Sequence, residues 1–168
     1  MHRIISYTLL FIASVMLQVF LFDNLSISIY VAPLVYIAFI TLLPIETSPI
    51  VMLVCGVLMG FVMDWTMGLE GINTAVTLFV AYSRRFILSI ACGRENAKEG
   101  GIPTVWRLGN YSFMLYVTLF VGMHHLLFFL LEGLSWSLLH FVLLRFIIST
   151  MISICFTWLL SQLFVSKI

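Results

Sequence analysis

Asp64, His124, His125, Glu132 and Arg145 stand inside or at the ends of long apolar runs, where an ionised side chain is costly, so each must have a use. Three kinds of chemistry come into question: a buried charge pair, a metal or haem centre, and hydrogen bonding between helices. Asp64 closes a stripe. Gly56, Gly60 and Asp64 recur at i, i+4 and i+8, one gently drifting face of a helix. The two glycines make a GxxxG, which lets backbones approach closely, within this chain or against another protein.

Asp64 has an available cation in Arg145, about nine residues into the last apolar run; antiparallel counting puts both in the same half of the membrane. The spacing predicts that Asp64 and Arg145 are close, or share polar neighbours with Glu132. The alternative is that Asp64 caps its helix at the interface while Arg145 snorkels outward.

The stretch "GMHHLLFFLLE", with His140 beyond it, raises a metal or haem site. The spacing argues against both. Adjacent His124 and His125 point roughly 100° apart on a helix, and neither has the i+4 histidine of an HExxH site. Hydrogen bonding within a bundle is the expected use, and no cofactor or metal is expected. Nucleophilic and phosphate chemistry lack even a motif: there is no GxSxG, no P-loop and no carboxylate cluster, so the chain reads as a non-enzyme.

The elements that must position these residues follow from composition. Of 168 residues 62% are hydrophobic and 9% charged, against roughly a quarter charged in soluble domains. This is the composition of an integral membrane protein. The net charge of +1 and the lack of a basic patch exclude nucleic acid as a partner and leave lipid. Cys55, Cys92 and Cys155 form no CxxC and no disulfide framework.

Long unbroken apolar runs predict an all-α polytopic bundle rather than a barrel, with six transmembrane helices at approximately 4–22, 27–43, 49–65, 72–91, 111–131 and 136–165. The whole chain, 1–168, is expected to be one membrane domain. The first span is too long for a signal peptide and reads as a retained anchor. With the N-terminus inside, Arg3, Arg84, Arg85, Arg94, Lys98, Arg107 and Lys167 fall on the cytoplasmic side, while the outer loops carry Asp23, Glu70 and Glu132, so both termini are expected in the cytoplasm. Arg84 and Arg85 lie well inside the fourth run; they are expected to snorkel to the inner interface, with Phe86 to Ala91 continuing along the headgroups.

Taken in order, the motifs resemble a family. "GVLMGFVMDWTMGLEGINTAVTLFVAYSRR" resembles the G-x-x-x-G-x-x-x-D-x-x-x-G-x-x-G core of the rod shape-determining protein MreD, here Gly56, Gly60, Asp64, Gly68 and Gly71, with a basic pair closing the next helix. The Pro33 span ending in "LLP", the loop "CGRENAKEGGIPTVWRLGNYSF", "HHLLFFLLE" and "LLRFIIST" are similar to the divergent Gram-negative form. Leu34 departs from the pattern, since many members carry an acid after the second-span proline.

The resemblance implies a non-enzymatic component of the cell-elongation machinery in the bacterial inner membrane. It would bind the bitopic protein MreC and, through it, MreB, RodA and a penicillin-binding transpeptidase. The implied fold is similar to substrate-binding components of energy-coupling-factor transporters. Gly56, Gly60, Asp64, Gly68 and Gly71 are thus expected at helix-packing or partner-binding positions, and Asp64, His124, His125, Glu132 and Arg145 in an intramembrane polar network. On this reading the Gly56, Gly60 and Asp64 face receives the MreC helix or fixes the bundle that does. The rival reading is a small-solute transporter or its binding subunit, with Asp64, Asn73, His124, His125 and Arg145 lining an outward-facing pocket.

Overall fold

The computed structural model describes residues 2–23, 31–97, 100–133 and 139–165. Among them the protein is all-helical, and five helices are long and apolar enough to cross a membrane. It is a multi-pass membrane protein. Helix α1 (His2–Met16) runs on through a π-helical stretch, Leu17–Phe22. The other long helices are α3 (Pro49–Met67), α4 (Ile72–Cys92), α6 (Asn110–Glu132) and α7 (Leu139–Val165). A short α5 (Val105–Leu108) interrupts the polar connection before α6.

The second apolar run is the main departure from expectation. It is not a continuous helix over 27–43. Its helical part is one 3-10 turn, Val35–Ile37, leading into α2 (Ala38–Thr41); residues 24–30 lie outside the described residues. Pro33 disfavours helix at the residue before it and lacks an N–H, and Pro44 does the same to the far end. Non-helical backbone at membrane depth is tolerated only where protein buries it. Here it does, because every residue from Pro33 to Leu43 is buried.

The packing order follows the chain. Helix α3 packs on α4, α4 on α6 and α6 on α7, while α1 and the short broken segment fit against the inner faces of this row. Asp23, Pro33, Leu69, Glu132 and Arg145 gather at one end of the bundle. At the other, Ile45 N–H donates to Gly101 O at 2.9 Å and Gly101 N–H to Glu46 at 2.6 Å. The segment from Ala32 to Ile45 thus passes from one end of the bundle to the other.

Helix α3 begins on Ser48, whose hydroxyl accepts from Val51 N–H, with Pro49 as first residue. It ends at Met67 rather than 65, because Gly68 takes φ +67° and its N–H closes the helix on Asp64 O. Gly71, at φ +91°, then starts α4. A Cβ at either glycine would meet nothing. These two glycines, expected on a packing face, serve the turn conformation instead. Helix α4 continues unbroken to Cys92, with Ile87, Leu88 and Ala91 buried, so the expected headgroup extension from Phe86 is a regular part of the bundle. The expected start of the last span at 136 falls outside the described residues, and so do Lys98 and Lys167.

Candidate functional site: the broken segment and the polar side chains that hold it

Two polar constructions occupy the core. The first lies between α3 and α4. At Gly60 an added Cβ would fall on the Thr74 Cα and 2.8 Å from Asn73 O; at Gly56 it would come 3.0 Å from the Ala81 Cβ. The stripe therefore packs within the chain. This close approach brings the first turn of α4 under Asp64, one turn beyond Gly60. The carboxylate accepts Asn73 N–H and Thr74 N–H, each at 2.9 Å, and the Thr74 hydroxyl at 2.5 Å.

Gly71 has no side chain with which to cap α4. Asp64 does that work from the neighbouring helix, satisfying two of the N–H groups a helix start leaves open and meeting the positive end of its dipole. The expected Asp64–Arg145 pair is thereby corrected: these backbone and hydroxyl donors take the carboxylate. Arg145 is paired with Glu132 at 2.8 Å and sits 5.0 Å over the Phe129 ring. One charge serves a helix end and the other a neighbouring charge.

The second construction grips residues 32–44. At its start, Gln18 is 1% exposed; its Oε1 accepts from Val35 N–H at 2.7 Å and Tyr36 N–H at 3.4 Å, and its Nε2 donates to Pro33 O and Asp23. The π-helical turn that carries Gln18 closes on an Asp23 N–H to Gln18 O bond. His125 Nε2 accepts Leu34 N–H at 3.2 Å and lies 2.9 Å from the Ser153 hydroxyl. Since a backbone N–H can only donate, the His125 ring proton is on Nδ1, directed at Val121 O 3.0 Å away. Ser149 accepts Ala32 N–H.

At its finish stands Arg84, 1% exposed. Its Nη2 donates to Thr41 O and Leu43 O, its Nη1 to Pro44 O and its Nε to the Tyr116 hydroxyl, which in turn donates to Thr41 O. The expectation that Arg84 snorkels to the inner interface is overturned. A cation at a helix C-terminus meets the negative dipole end, and its planar fork serves several carbonyls at once. Arg85, one residue on, is exposed.

Between the two constructions lies a bridge. The Tyr36 hydroxyl donates to Asn73 Oδ1 at 2.7 Å, so the 3.0 Å contact to His124 Nε2 is an N–H donated by the ring. Asn73 N–H reaches Asp64. Asp64 and His124 thus share a network, while Glu132 and Arg145 stand apart from it. The adjacent histidines serve different partners, as their angular separation requires. Among the described residues no three His, Cys, Asp or Glu side chains gather as a metal site would need.

Sequence reasoning missed Gln18, Tyr36, Tyr116 and a hydroxyl stripe on α7. Ser149, Ser153, Thr157 and Ser161 recur every four residues and all are buried. That four-residue spacing of small hydroxyls was a readable signal, as was the one Gln in the first span. The rival pocket is also only partly as expected. A cavity of about 640 Å³ opens at the Asp23 end and includes Gln18, Asp23, Thr66, Glu132 and Arg145, but Asp64, Asn73, His124 and His125 do not line it.

Comparison with protein-family models, curated proteins and solved structures returns no match for this chain.

Proposed function

We propose that the protein is a non-enzymatic scaffold of the bacterial inner membrane that serves cell elongation and peptidoglycan synthesis. It would bind an MreC-like bitopic protein through intramembrane contacts and, through it, MreB, RodA and a penicillin-binding transpeptidase. The ordered motifs around Gly56, Gly60 and Asp64 support the family. The observation that carries a scaffold over a transporter is the fate of the broken helix. Transporters grip solutes with the ends of interrupted helices. Here Gln18 and His125 saturate one end and Arg84 with Tyr116 the other. The segment is held by its own protein.

In this reading the segment from Ala32 to Ile45 is the sixth pass, giving an even number of crossings. The end bearing Arg85, Arg94 and Arg107 faces the cytoplasm, with both termini there. Purification from the native membrane in mild detergent tests the proposal. Recovery of a single-span protein with a periplasmic domain supports it; recovery of an ATPase module contradicts it.

One observation favours the second reading, a solute-binding subunit: the 640 Å³ cavity with its Arg145–Glu132 pair and Asp23. Its volume falls within the roughly 300–1,000 Å³ of small-molecule sites. A small molecule that copurifies with the wild type and is lost in Arg145→Gln would establish it.

A further inference from the structure

Adjacent arginines on α4 have opposite fates. Arg84 is spent on buried carbonyls, whereas Arg85 is exposed and makes no hydrogen bond or ion pair among the described residues. Arg85 borders a groove of about 490 Å³ between the first turns of α3 and the second half of α4. Met52, Leu53, Tyr82 and Phe86 give it apolar walls, and the last two are among the most exposed aromatic side chains of the helix. Glu46, between the groove-lining Ile45 and Thr47, accepts the Gly101 N–H.

A groove on the side of a membrane helix pair, apolar along its length and with one unpaired cation at its border, has the chemistry of an amphiphile with an anionic head. Basic sites between helices hold anionic lipid headgroups in this way. The groove is too small for a partner helix, about 30 Å long and at least about 10 Å across, and has room for one chain of an amphiphile rather than a whole molecule; the charge of Arg85 beside the apolar walls is what selects an anionic one.

We propose that an anionic phospholipid occupies this groove, its phosphate on Arg85 and an acyl chain along Met52, Leu53 and Phe86. It would seal the α3–α4 seam beside the Arg84 clamp. The proposal rests on the membrane character of the chain and is independent of the scaffold reading.

Native mass spectrometry of the full-length protein, delipidated and then offered phosphatidylglycerol or phosphatidylcholine of identical chains, tests it. The wild type should retain phosphatidylglycerol about tenfold better than phosphatidylcholine, the worth of one charge-assisted contact. Arg85→Gln should bring the two lipids level, Leu53→Trp should weaken both by filling the groove, and Arg94→Gln should change neither. Equal retention of the two lipids by the wild type would overturn the proposal. So would undiminished phosphatidylglycerol preference in Arg85→Gln, or an equal loss in Arg94→Gln, which would make the effect one of general surface charge. Unchanged lipid retention in Leu53→Trp would place the lipid elsewhere.

Discussion

The α3–α4 hairpin and the broken segment solve the same problem, backbone groups at membrane depth, by opposite means. In the hairpin the helices are continuous, and glycines let them touch until a single carboxylate, Asp64, can cap the next helix. In the broken segment the backbone has no ladder of its own over much of its length, and side chains from α1, α4, α6 and α7 supply the partners. The first depends on the absence of atoms, the second on the presence of particular donors and acceptors. Volume should therefore break the hairpin, and lost hydrogen bonds should break the clamp.

The largest effect is expected at Arg84. Arg84→Met leaves the carbonyls of Thr41, Leu43 and Pro44 and the Tyr116 hydroxyl short of a donor, and should destabilise the protein by about 3–5 kcal/mol in reversible unfolding in detergent micelles. Arg84→Lys should restore only part, because an ammonium cannot reproduce the planar fork.

Gly60→Val comes next, at about 3 kcal/mol, since its side chain must displace the backbone of α4 at Thr74. The hairpin should respond to added volume there in disulfide cross-linking between cysteines placed on α3 and α4. Gln18→Leu, nearly isosteric, removes an acceptor for Val35 N–H and a donor for Pro33 O, and should cost about 2 kcal/mol while leaving the α3–α4 cross-links unchanged.

Asp64→Asn keeps one acceptor but turns an amide N–H₂ toward a second donor. It should cost about 1–2 kcal/mol, read as faster amide exchange at Asn73 and Thr74. Arg145→Gln should leave that exchange unaltered, since Arg145 pairs with Glu132 and not with Asp64. The smallest effect sharpens the contrast: a Cβ at Gly122 meets nothing, so Gly122→Ala should be neutral or stabilise by up to about 1 kcal/mol through helix propensity.

How far each region could be read from sequence follows the same division. The glycine stripe was legible because its residues recur on one helix, whereas Gly68 and Gly71, grouped with it, belong to the turn. The partner of Asp64 was not legible, because backbone N–H groups carry no letter; the search for a cation led to Arg145. The second run was long and apolar enough to pass as a spanning helix, and its interruption is fixed by residues far away in the chain. Gln18 lies 17 residues from Val35, Arg84 43 from Thr41, and His125 91 from Leu34. Pro33 and Pro44 were the local warnings. Arg84 was placed at the interface because a guanidinium buried in the bilayer is costly; three backbone carbonyls offset that cost.

The central claim is that residues 31–45 form a clamped, broken segment. Backbone carbon chemical shifts of the labelled protein in lipid bilayers, by magic-angle-spinning NMR, test it most directly. Helical shifts confined to residues near 35–41, with non-helical values at 31–34 and close contact between the Arg84 guanidinium and the Thr41 and Leu43 carbonyls, are the predicted result. Uninterrupted helical shifts from 31 to 43, with the Arg84 guanidinium in contact with lipid phosphate, would contradict it.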